Sequence, residues 1–299
     1  MKPVTVSGPW PKLQRHWDIR AAGNFIGGGT GSGLILAAAV AAATGRGFAP
    51  ALLAGLVCVG LGLTMVLLEI GRPWRALNVF FHPRTSWMTR EGVLALPLFA
   101  CGGLALLLDW AGAPVAPAMA VVAGVLAVAF LYCQARILGA AKGIPAWREP
   151  ALLPFLMASG LTEGAGLLAI LAQFGLAPAW ATPLGLGLLV VRLVLWRGYL
   201  SALARNGAPA ASLAALSRLA PGFIGLNGLA VLLFATAILL PAASAAAGLA
   251  GGLAAIAGWL AKLTIVTKAA ATRGFALPRT PVRGQGTSRL LGAPGWQMR

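Results

Sequence analysis

Eight apolar runs, each close to the ~20 residues that cross a bilayer as a helix, leave this chain little choice of fold. They cover residues 21–43, 49–70, 92–108, 118–138, 152–174, 181–200, 221–240 and 246–266. Open strands would leave backbone groups unpaired in lipid, and the runs are about twice the length of a barrel strand. The expectation is therefore an all-α integral membrane protein with eight transmembrane helices. An N-terminal arm (1–20), a transmembrane domain (21–270) and a basic tail (271–299) follow from the same division.

Composition agrees: 59% of the residues are hydrophobic and 10% charged, against about a quarter charged in soluble domains. The net charge of +17 would point to nucleic acid in a soluble protein, but the basic residues here follow topology. Of the 23 Lys and Arg, 21 fall in the N-terminal arm, in the loops after the second, fourth and sixth runs with the ends of the fourth and sixth (Arg136 and Arg197), and in the tail with the end of the eighth. The remaining loops hold Arg46 alone, and Arg192 lies inside the sixth run. Positive charge marks the cytoplasmic side, so both termini are expected to be cytoplasmic, with membrane lipid rather than nucleic acid as the surrounding partner. The polar lead before the first run is too long, and that run too broken by glycine, for a cleaved signal peptide.

The first run places Gly23, Gly27 and Gly31 on one line of four-residue spacing and Gly29 and Gly33 on another. That pattern predicts close helix packing; no G-x-G-x-x-G register fits and no strand precedes it, as phosphate binding would require. No internal repeat is legible between the first four runs and the last four.

Two charges lie deep. Glu163 is about 17 Å into the fifth run and Arg192 about 12 Å into the sixth, at 1.5 Å per residue. A lone charge near mid-membrane costs on the order of 2.5–3.5 kcal/mol on the insertion scale, so the expectation is a Glu163–Arg192 ion pair, either a clamp between helices or a step in a proton path.

Polar residues also gather in 69–91, which holds Glu69, Glu91, Arg72, Arg75, Arg84, Arg90, His82, Trp74 and Trp87. Asn24, Tyr132, Gln134, Arg136, Asn227 and Lys262 fall near the same ends of their runs, with His16 and Asp18 just before the first. Such a set can form a mouth for a headgroup with two carbonyls, since Tyr, His and Asn donate hydrogen bonds and carboxylates relay protons.

Other chemistry is unsupported. Cys58, Cys101 and Cys133 lie in apolar runs without CxxC spacing, so this chain is expected to hold no iron–sulfur cluster and no metal. Its two histidines, His16 and His82, lie outside the runs, so no bis-His haem site is expected. There is no Ser-His-Asp set, H-E-x-x-H or Walker sequence. A secondary transporter with a midplane site at Glu163 and Arg192 stands as the alternative class.

The run Gly71-Arg72-Pro73-Trp74-Arg75, followed by Ser86-Trp87-Met88-Thr89-Arg90-Glu91, resembles the membrane anchors of DMSO and polysulfide reductases, the NrfD/PsrC/DmsC superfamily. Tyr132 followed by Lys142-Gly-Ile-Pro145-Ala-Trp147 is similar to that superfamily's fourth helix and next loop. The resemblance implies a haem-free subunit of a bacterial or archaeal cytoplasmic membrane that binds quinone. It also implies an iron–sulfur subunit carrying several clusters and a molybdopterin catalytic subunit as partners, so this chain would not act on the organic substrate itself.

By that resemblance Tyr132 and Glu91 are expected at the quinone, with His16 or Asn24 filling the helix-one position. Protons are expected to arrive through His16, Asp18 or Glu91, while Arg72, Arg75, Arg84 and Trp87 are expected to dock the partner. In the DMSO and polysulfide enzymes the catalytic subunits face outward, whereas the charge count here turns the polar mouth inward. An inward mouth suits a substrate that cannot cross the membrane. The first-run sequence Arg20-Ala-Ala-Gly-Asn-Phe-Ile-Gly-Gly-Gly and the arginine-rich tail are similar to the membrane subunit of phenylacetyl-CoA:acceptor oxidoreductase.

Overall fold

The computed structural model describes residues 6–7, 10–70, 73–277 and 293–294. Its helices are α1 (Ile19–Ala43), α2 (Ala49–Ile70), α3 (Trp87–Trp110), α4 (Ala116–Gly139), the single-turn α5 (Pro145–Arg148), α6 (Leu152–Gln173), α7 (Ala181–Arg205), α8 (Ala210–Leu239) and α9 (Ala246–Leu263). All but α5 are long and apolar enough to cross a membrane, which gives eight spans among the described residues. A 3-10 helix, Pro73–Phe81, joins α2 to α3, and a π turn, Thr264–Lys268, extends α9.

Two helices begin five or more residues before their apolar runs. Ser86 accepts from Thr89 N at 3.2 Å and caps α3, so the stretch from Trp87 to Glu91 is helix rather than loop. A Ser at that position satisfies an amide the helix cannot pair internally. Helix α8 starts eleven residues before Pro221 and carries that proline in its interior.

The neighbours of each helix reveal an order that the sequence hides. Helix α1 packs on α2 and α4, and α3 on α2 and α4; α6 packs on α7 and α9, and α8 on α7 and α9. The two quartets have the same neighbour pattern, and corresponding helices lie four spans apart, so they run in the same direction, as in a parallel repeat. Both α1 and α6 end on a left-handed glycine, Gly45 at φ 67° and Gly175 at φ 70°, where a side chain would be strained. The following amides close back on Ala41 O at 2.9 Å and Leu171 O at 3.0 Å.

Helix α1 joins the halves through α6, and its glycines set the approach. A Cβ at Gly27 would meet Cys58 O and Gly62 on α2, whereas one at Gly33 would overlap Gly160 O on α6. The two glycine lines expected from the sequence thus face two different helices. In lipid, where apolar surface gains little by turning inward, such backbone contact supplies packing attraction directly.

Both arms meet at one end of the bundle. Strand β1 (Val6–Ser7) pairs antiparallel with β2 (Phe275–Leu277), which pairs with β3 (Ala293–Pro294). Nearer the membrane, Gln14 N donates to Ala270 O at 3.0 Å and Thr272 N to Lys12 O at 2.7 Å. The end of α9 is pinned there, because Ile265 O and Val266 O accept from Trp147 Nε1 at 2.8 Å and Gln14 Nε2 at 3.1 Å.

Substituting Gly33→Val should destabilise the detergent-purified protein by about 1–3 kcal/mol through overpacking. Gly103, with nothing within 4 Å of its Cβ position, should accept alanine without loss. Thermal unfolding followed by size-exclusion chromatography distinguishes the two.

Candidate functional site

Glu91 lies in the second turn of α3 and is 5% exposed. Helix α1 brings Asn24 to it and α4 brings Gln134. Glu91 Oε1 accepts from Asn24 Nδ2 at 3.3 Å and from Gln134 Nε2 at 3.1 Å, and Gln134 Nε2 also donates to Asn24 O at 3.0 Å. This arrangement needs Gly28, because a Cβ there would overlap Gln134 Nε2. Both donors serve one oxygen and leave Oε2 free of these bonds.

Glu91 forms part of the wall of a cavity of about 480 Å³ between α2, the 3-10 helix and α3. The other lining residues are apolar apart from the backbone, including Leu63, Leu67, Phe80, Ala95, Leu96 and Phe99. Its size suits a small organic ligand, and Glu91 is the one ionisable group lining it. A second cavity, about 40 Å³, shares Val66, Met88 and Glu91 with the first and adds Trp17, Asn24 and Glu69. Glu91 therefore stands between an apolar chamber and a small polar one.

The other expected site residues lie elsewhere. Tyr132 is 37% exposed and sets its ring against Trp87 at 5.8 Å; it lines neither cavity beside Glu91. The reason is helical geometry: residues two apart on a helix do not share a face, so Gln134 turns toward α1 while Tyr132 turns away. His16 is exposed and also lines neither cavity. Asp18 caps α1 and is clasped by Arg20, Nη2 to Oδ2 at 2.8 Å. The hydrogen bond from the Arg20 guanidinium holds the Asp18 carboxyl below the usual carboxylate range, which makes it a poor proton carrier near neutral pH.

Of the expected docking residues, Arg84 is exposed, and Trp87 is half-buried with Arg90 at 4.1 Å and Arg136 at 4.8 Å from its ring centre. Arg72 lies outside the described residues, as does the side chain of Arg75.

The deep ion pair differs from expectation. Glu163 is paired with Lys262, Nζ to Oε2 at 2.7 Å, rather than with Arg192. Thr30 Oγ1 donates to the same Oε2 at 2.6 Å and Ser159 Oγ to Oε1 at 2.9 Å. Arg192 instead donates through Nη2 to Asn227 Oδ1, whose amide is fixed on Phe223 O at 2.6 Å. Gly258 lies between α9 and both groups and lets them come close to each other, since a Cβ there would crowd both Glu163 Oε1 and Arg192 Nη1. Gly29 makes room for Lys262 by the same means. The pattern of charges hid this pairing because Lys262 lies near the end of its run and reads as an interfacial residue. A lysine stem is long enough to carry its ammonium well away from its own Cα.

The fold and these cavities define a multi-pass helical membrane protein with one carboxylate set in the wall of an apolar chamber. Residues 14–270 match the family described as polysulphide reductase, NrfD, and the chain belongs to that family. No individual curated protein matches it. Family membership makes it a membrane subunit of a redox enzyme complex, which displaces the transporter reading of Glu163 and Arg192.

Lys262→Met, which strands Glu163, should destabilise the protein by about 3–5 kcal/mol, as breaking one side of a buried pair does. The double variant Lys262→Met/Glu163→Gln should recover much of that loss. A thermal-shift series on the purified variants checks both.

Proposed function

We propose that this chain is the quinone-reactive membrane subunit of its complex, with the headgroup seated in the 480 Å³ cavity against Glu91. The observation that carries this reading is the placement of one buried carboxylate, held by two amides, in an otherwise apolar wall. A quinone needs that combination: apolar surface for ring and tail, and a group beside a carbonyl oxygen that exchanges protons.

Reduction of a quinone to quinol consumes two electrons and two protons. In this reading the electrons come from an iron–sulfur subunit with several clusters docked at the end of the bundle where both termini lie. A molybdopterin subunit beyond it oxidises the organic substrate. Glu91 donates its proton to the carbonyl oxygen it faces, and Asn24 and Gln134 keep its Oε1 fixed while Oε2 exchanges. The apolar lining excludes water from the ring. Glu91 and Asn24 thus keep the roles expected of them, whereas Tyr132 and His16 stand outside the headgroup's reach.

The terminus end is assigned to the cytoplasm, on the strength of the basic residues concentrated there. Arg84, Trp87, Arg90 and Arg136 lie on that end and offer an electropositive, aromatic docking face. A cytoplasmic catalytic arm suits a coenzyme A thioester, which cannot cross the membrane. The first-helix sequence from Arg20 to Gly29 supports phenylacetyl-CoA as that substrate.

Glu91→Gln should lower quinone reduction about 100-fold, while electron transfer from substrate to a soluble dye at the partner continues. Unchanged quinone reduction would remove Glu91 from the site. Ala95→Phe, which fills the apolar cavity, should raise the quinone KM more than it lowers kcat, as read in steady-state assays with a short-chain quinone.

A further inference from the structure

We propose that Glu69 is the proton-entry residue for Glu91, and that the 40 Å³ cavity between the two carboxylates is the path. This rests on the reading of Glu91 as the proton donor to quinone, and deepens it by naming where the proton comes from.

The geometry carries the assignment. The small cavity is lined by Glu69, from the last turn of α2, and by Glu91 and Asn24. Val66 and Met88 line both cavities, and with Glu91 form the wall between them. Asn24 is 4% exposed, and its Oδ1 has no hydrogen-bond partner among the described residues although its Nδ2 is bound to Glu91. A buried acceptor beside a space that Glu69 and Glu91 also line is satisfied by water, and the volume admits roughly one to three molecules. Such water, held by Asn24 Oδ1, joins the two carboxylates.

Glu69 also has the exposure that an entry residue requires. It is half-buried at the terminus end of the bundle. The charged groups facing it are Asp18 and Arg20, and Arg20 Nη1 donates to the neighbouring Leu68 O at 2.8 Å. The groups facing Glu91 are the amides of Asn24 and Gln134, while Arg90 on its own helix is turned to Pro83 O at 2.9 Å and Arg84 O at 2.9 Å. The two other candidates for proton delivery are worse placed: Asp18 is clasped by Arg20, and His16 lines neither cavity.

Each transfer balances. The O–H bond on Glu91 breaks as one forms on the quinone oxygen, leaving Glu91 as carboxylate. A proton passes from Glu69 through the water to Glu91, and Glu69 takes another from bulk solvent on the terminus side. Two passes accompany the two electrons supplied by the iron–sulfur partner.

The test uses the intact complex in detergent. Glu69→Gln should lower kcat for quinone reduction about tenfold or more, with the quinone KM within about twofold of wild type. A small weak acid such as azide or formate should restore much of the rate, which a structural defect would not allow. Ala21→Leu, which fills the small cavity without touching a carboxylate, should lower kcat in the same way.

Wild-type kcat in both variants would overturn the assignment. If Glu91→Gln is impaired in the same assays, the quinone site survives and only the entry route fails; if it too is unaffected, the site itself is wrong. Should Glu69→Gln fail to assemble, Ala21→Leu decides: a lowered kcat with an unchanged quinone KM supports the path, and an unchanged kcat excludes it.

Discussion

The structure depends on how closely the backbone of α1 is approached. Gly27 admits α2, Gly33 admits α6, Gly28 leaves room for the amide of Gln134, and Gly29 for the ammonium of Lys262. A helix with ordinary side chains at those four positions would keep its neighbours farther away. The two polar clusters would then lose their donors, because each is assembled across α1. The same bare backbone thus sets the packing and locates the chemistry.

The two clusters handle buried charge differently. Glu163 is neutralised outright by Lys262 and by the hydroxyls of Thr30 and Ser159. That satisfies a group for which isolation in the membrane would be costly. Glu91 receives only neutral amides, and both on one oxygen. Glu91 has no counter-ion among the described residues and lines two cavities, whereas Glu163 is closed in by an ammonium and two hydroxyls.

Much of this was legible in the residues. Run length gave the eight helices, the four-residue glycine spacing gave two packing faces on α1, and the motif from Gly71 to Glu91 gave the family. Asn24 and Glu91 were already candidates for one site. The expected partner of Glu163 was Arg192, which does come close beside Gly258, but the long stem of Lys262 on α9 carries its ammonium to the carboxylate and forms the ion pair instead. Tyr132, near the mouth in sequence, lies on a different face of α4 from Gln134 and lines neither cavity beside Glu91. The repeat was invisible because it survives in neighbour order, not in residue identity.

By itself the sequence determined that this chain crosses a membrane eight times, since hydropathy and backbone satisfaction in lipid are local properties of each segment. Only the tertiary structure decided which polar residues share a site. Rotation of one helix against another is set by contacts from several segments at once. A turn of about 100° per residue is enough to exchange a cavity-facing side chain for a lipid-facing one.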